Sequence, residues 1–238
     1  MNSFWSVPGG KVLALTLALS ATLLAGCGLQ RTVFLYPPEQ SSIESDLTDG
    51  IVSFEHNTDN LPEEFRGYEI YYKLYGEDQN EKIDEEESSI LDPDTQALPR
   101  LEASDFVRLR RKDEPLTRPL VDIPFDERTD SVVITIDFSG VSDGSSAVFE
   151  RETEDGETVS RDLVRTIESG VYEEFTGDSE DYNTDEHEDI DDDAGENPDI
   201  LQLVAYVLAY GEDPQELTPV YSFEARQLYE PPFDGLLD

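Results

Sequence analysis

Apolar and polar positions alternate over short runs along most of the chain. Residues 131–138 (SVVITIDF) give the cleanest case, with Val132, Ile134 and Ile136 on one face; period two predicts a half-buried strand. Residues 68–75 (YEIYYKLY) are aromatic and β-branched between Gly67 and Gly76, which predicts a second strand. There Tyr68, Ile70, Tyr72 and Leu74 share one face, and Tyr71, Lys73 and Tyr75 share the other. Residues 201–210 (LQLVAYVLAY) are apolar on both faces, as expected of a central strand. Weaker patterns predict strands over 32–36, 50–56, 106–112 and 221–228. Residues 147–153 and 157–164 flank Asp155-Gly156, a favoured two-residue hairpin turn. A helix over 161–175, with Leu163, Val164, Ile167 and Val171 in register, competes with the second hairpin strand.

Two stretches break the pattern. Residues 76–89 carry seven acids against Lys82, and residues 177–199 carry twelve acids with no lysine or arginine. Like charges at this density repel, and neither stretch has the apolar periodicity to offset its ordering entropy. Both are expected as acidic surface loops, spanning 76–105 and 177–199.

The N-terminus has a different pattern. Lys11 precedes an uncharged apolar run over 12–24, the length of the core of a secretory signal and short of the ~20 residues that span a bilayer. The run ends in Leu24-Ala25-Gly26-Cys27. This resembles the lipobox of bacterial lipoproteins. The resemblance implies diacylglycerol transfer to the Cys27 sulfur, cleavage between Gly26 and Cys27, and N-acylation of the new terminus. The expected organisation is a signal over 1–26, a lipidated tether over 27–31, a domain over 32–230 and a tail over 231–238. Gly28 follows the lipidated cysteine where an inner-membrane lipoprotein often has Asp, which favours the outer membrane.

Removing the signal takes Lys11 and no acid, leaving 15 basic and 56 acidic side chains, a formal −41. Such a chain is unsuited to nucleic acid or an anionic surface. Its many acids and four lysines resemble proteins adapted to high salt. Cys27 is the only cysteine, so no internal disulfide is possible.

Short strands separated by turns, without βαβ alternation, predict a β-sandwich. Residues 65–73 (FRGYEIYYK) resemble the third strand of fibronectin type III domains, and 203–211 followed by Tyr221-Ser222 resemble their last two strands. The resemblance implies a mostly β, fibronectin type III/immunoglobulin-like sandwich. Phe54 and Leu203 stand where that family carries Trp and Tyr. The long middle implies large acidic insertions, with room for one short helix.

Candidate chemistry is sparse. The two histidines, His56 and His187, have no nucleophile motif nearby, and neither zinc-ligand clusters nor phosphate-binding glycine loops occur. Asp181-x-Asn183-x-Asp185, with Asp189 beyond, resembles the opening of a calcium loop, although Glu186 replaces its glycine. Tyr71 and Tyr75 could present an aromatic face. Arg108, Arg110 and Lys112 would share a strand face able to dock a carboxylated polymer or acidic partner, or to pair with the chain's own acids.

These features predict a membrane-anchored, non-enzymatic envelope lipoprotein that binds or organises an envelope protein or polysaccharide. It would need no cofactor and bind no nucleic acid. The alternatives are a Ca²⁺-binding module using 177–199 and an envelope hydrolase using paired carboxylates.

Overall fold

The computed structural model describes residues 33–178, 182, 187–194, 200–214 and 217–237. Residues Val33–Asp238 form one compact unit, a mostly β domain of two antiparallel sheets. The first contains β1 (Glu44–Asp46), β2 (Ile51–Glu55), β7 (Val132–Asp137), β8 (Val148–Thr153), β9 (Thr158–Glu168) and β10 (Val171–Glu173), with β5 (Arg110–Arg111) also paired to β9. The second runs β12 (Pro219–Tyr221), β11 (Leu201–Glu212), β3 (Phe65–Gly76), β4 (Val107–Arg108). In it β13 (Arg226–Gln227) also pairs with β11, and β6 (Val121–Asp122) with β3. The last long strand, β11, lies between β3 and β12, and the two antiparallel sheets are consistent with a β-sandwich.

The strongest patterns are placed as their periodicity requires. Val132, Ile134 and Ile136 of β7 face the inter-sheet core, with Tyr68, Ile70, Tyr72 and Leu74 of β3 opposite. β11 is buried on both sides, Leu203, Ala205 and Val207 inward and Val204, Tyr206 and Leu208 outward. The outward set packs under two helices, α1 (Asn80–Ile90) and α2 (Ala97–Ala103). The molecule therefore has three layers, sheet on sheet with helices over part of one face.

Several expectations are corrected. The acidic loop at 76–105 contains both helices. The buried apolar side chains of α1 are Ile83 and Ile90, too thin a stripe to read as amphipathic. Residues 161–175 are β9 and β10 rather than a helix, because Leu163 and Val164 extend the β8–β9 hairpin and pair with Arg111 and Arg110. Its turn is not a two-residue one. Gly156 has φ +79°, the Gly156 N–H donates to the Thr153 carbonyl and the Thr153 N–H to the Glu157 carbonyl, a three-residue loop with a glycine bulge.

Residues 33–36 lie in no strand, although Leu35 is buried. Residues 106–112 divide into β4 and β5, because the chain leaves β3 at Leu109 and crosses to β9. Residues 221–228 likewise divide between β12 and β13 around a bend. The expected tail at 231–238 closes the core, with Phe233 and Leu236 buried and Phe233 bridged to Leu203. Among the described residues no helix is long and apolar enough to cross a membrane.

Candidate functional site

The outward face of β3 carries Glu69, Tyr71, Lys73 and Tyr75, all buried. The two buried charges, Glu69 and Lys73, need partners, and each has found them. Lys73 lies at the base of a cleft of about 690 Å³ between α1, the residues after α2 and the 188–192 segment. Its Nζ is 2.7 Å from Asp191 Oδ2 and 3.6 Å from Glu86 Oε1, and donates to the Ser104 carbonyl at 3.0 Å. The other oxygen of Asp191 accepts from Lys82 Nζ at 2.7 Å and Gln79 Nε2 at 2.6 Å. Tyr75 Oη donates to Glu86.

Burial works to raise the Asp191 pKa, but the hydrogen bonds from Lys73, Lys82 and Gln79 outweigh it and hold the group at about 2. A carboxyl this acidic cannot serve as a general acid near neutrality. The cleft offers paired carboxylates, yet its best-placed one is fixed as a counter-ion. A depressed folded value stabilises the fold above the unfolded pKa of 3.8, and this is lost as pH falls through about 2. The shift corresponds to about 2 kcal/mol. Urea unfolding at pH 6 and pH 2.5 should therefore show a smaller acid loss for Asp191→Asn than for the wild type. An equal loss in both would contradict the assignment.

The neighbouring acid Asp189 points to the opposite side. Its carboxylate takes Arg165 Nε at 2.8 Å, Arg165 Nη2 at 2.9 Å and the Tyr72 hydroxyl at 2.8 Å. Arg165 lies over the Tyr182 ring at 4.0 Å. Tyr72 Oη in turn accepts from the Thr166 N–H. Between the two acids, Ile190 bridges to Leu74, with backbone hydrogen bonds from Leu74 N to Asp189 O and from Asp191 N to Leu74 O. This part of the expected surface loop is thus docked as an extra edge beside β3. Asp189 and Asp191 look like their acidic neighbours in sequence. The available signal was their partners, because Lys73 stands between Tyr72 and Leu74 and Arg165 directly follows Leu163-Val164, cations set among residues that pack inward.

The other candidate residues are distributed. Of the calcium-loop residues, Asp181, Asn183 and Asp185 lie outside the described residues. Asp189 has both oxygens engaged by Arg165. Among the described residues no group of three or more His, Cys, Asp or Glu could hold a metal ion. Tyr71 and Tyr75 do not form an open aromatic face, since they belong to the core beneath the helices.

The expected basic face is broken by the crossover at Leu109. Arg108 pairs with Glu69 at 2.9 Å. Arg110 lies over Tyr172 and donates to Thr166 Oγ1, and both arginines reach the Pro115 carbonyl. Lys112 pairs with Glu174 at 2.7 Å. His56 is buried: its Nε2–H donates to the Arg128 carbonyl, so its Nδ1 accepts from Tyr68 Oη. Gly26 and Cys27 precede the described residues.

A feature without a strong sequence signal is a groove of about 650 Å³ lined by Phe34, Tyr36, Pro37 and Phe223. Its three aromatic rings are exposed. No family model, curated protein or solved structure matches this chain.

Proposed function

We propose that the chain is an envelope lipoprotein, held at a membrane by lipid on Cys27, whose exported domain binds or organises partners without catalysing a reaction. The observation that carries this reading is Leu24-Ala25-Gly26-Cys27 at the end of an uncharged apolar run. Two or three acyl chains on one residue anchor a protein stably, at about 0.8 kcal/mol per buried CH₂. The compact unit starting at Val33 supports it, since a short tether then suffices. The non-catalytic part is supported by the engagement of the buried charges with one another: Lys73 with Asp191, Arg165 with Asp189, Arg108 with Glu69. Gly28 favours the outer membrane.

The test is metabolic labelling with radioactive palmitate in a bacterial host, with the mass of the purified N-terminal peptide. The wild type should carry label and a lipidated Cys27. Cys27→Ser should lose the label and retain its signal. An unlipidated wild-type N-terminus would overturn the anchor.

A further inference from the structure

The groove around Phe34 is built to stay open. Phe34, Tyr36 and Phe223 are 64%, 46% and 45% exposed, and all three line the same depression. They are three of the nine large exposed apolar side chains among the described residues, so the exposure is concentrated. Their backbone is fixed. Leu35 between them is buried. The Tyr36 N–H donates to Asn60 Oδ1 at 2.8 Å, Asn60 Nδ2 donates to the Tyr36 carbonyl at 2.7 Å, and Asn57 Nδ2 to the Pro37 carbonyl at 3.0 Å. The Phe223 carbonyl accepts from the Ala97 N–H at 2.9 Å. Rings held outward on a pinned backbone mark a contact surface rather than a loose end.

Position in the chain identifies the contact. Phe34 is seven residues past Cys27, and seven fully extended residues span at most about 25 Å. If Cys27 carries lipid, the patch is confined to the bilayer side of the domain. We infer that Phe34, Tyr36 and Phe223 rest in the headgroup region of the membrane that holds the lipid, fixing how the domain stands on it. The inference rests on the lipoprotein reading. Aromatic rings suit this depth, where an apolar body meets a wet boundary. Glu39, Asp59 and Glu224 on the groove rim limit the contact to shallow burial. The formal −41 of the mature chain opposes approach to anionic lipid, so the rings act only at the high effective concentration that a tether supplies.

The chain permits a direct test. Trp5 is its only tryptophan and lies in the signal, and Cys27 is its only thiol. A domain beginning at Cys27, made without the signal, can be coupled through that thiol to a maleimide phospholipid in phosphatidylcholine vesicles. An introduced tryptophan is then the sole reporter. Phe34→Trp and Tyr36→Trp should shift to shorter emission wavelength on coupling and lose intensity to brominated phosphatidylcholine. Val171→Trp should do neither, because the β9–β10 turn lies past the end of the first sheet opposite Asn57. Emission from positions 34 and 36 that matches the uncoupled protein, or quenching no greater than at 171, would overturn the inference. The coupling bypasses cellular lipidation, so this failure is distinct from failure of the palmitate experiment.

Discussion

Arg165→Met should destabilise the domain by about 3–5 kcal/mol, the usual result of removing one partner from a buried ion pair. Arg165 and Asp189 are almost fully buried, at 1% and 0% exposed, and share two hydrogen bonds. The variant leaves the Asp189 carboxylate in the core with the Tyr72 hydroxyl as its remaining described side-chain donor. Arg165→Met combined with Asp189→Leu should recover most of the loss, because the uncompensated charge goes with the second change. A residual deficit of about 1 kcal/mol is expected, because the Tyr72 hydroxyl keeps the Thr166 N–H as donor but loses its acceptor. Urea unfolding followed by far-ultraviolet circular dichroism reads all three proteins. A double variant as unstable as the single one would show that Arg165 acts through packing on Tyr182 rather than through charge.

Gly67→Ala should be about as damaging, at about 3–5 kcal/mol from overpacking and backbone strain together. A Cβ at Gly67 would lie 1.9 Å from the Val121 carbonyl oxygen and 2.9 Å from Pro119 Cγ, and the φ of +151° is unfavourable for any L side chain. The obstacle is the backbone of β6, which pairs with Gly67 and Tyr68 and buries Leu120, Val121 and Ile123 in the inter-sheet core. β6 must move, and those three side chains with it. Gly156→Ala provides the contrast. Its φ is also positive, at +79°, but no atom lies within 4 Å of the added carbon, so only the conformational penalty of about 1–2 kcal/mol applies. The same unfolding series compares them, and equal losses at both positions would show that steric conflict with β6 is not the cause.

How much of this was legible follows from how each residue is buried. β7, β3 and β11 could be read directly, because burial on one or both faces writes period two or a continuous apolar run into the sequence. The sandwich and the face assignments of Tyr68, Ile70, Tyr72 and Leu74 followed. α1 was not legible, because part of its inward surface is Glu86, held by Lys73 and Tyr75. An acid used as a buried partner has the same letter as one in solvent. The same ambiguity concealed Asp189 and Asp191 among ten other acids of 177–199. The basic run was visible, but the assumption of one continuous strand put Arg108, Arg110 and Lys112 on a common face, and the change of sheet at Leu109 separates them. The segment at Phe34 has a strand pattern in sequence because Phe34, Leu35 and Tyr36 are strand-like residues; the Asn57 and Asn60 side chains hold that backbone where a neighbouring strand would otherwise pair.

The docked segment at 189–191 has a mechanical consequence. One of its acids is tied to β9 in the first sheet and the other to β3 in the second, with Ile190 between them on the β3 edge. It works as a rivet through two plates. Lifting it uncovers an arginine and a lysine at once, and the sheets cannot separate at this point unless the segment releases either Arg165 on one side or Lys73 and the Leu74 backbone on the other. A stretch that reads as the most expendable part of the chain thereby couples the two halves of the fold into one cooperative unit.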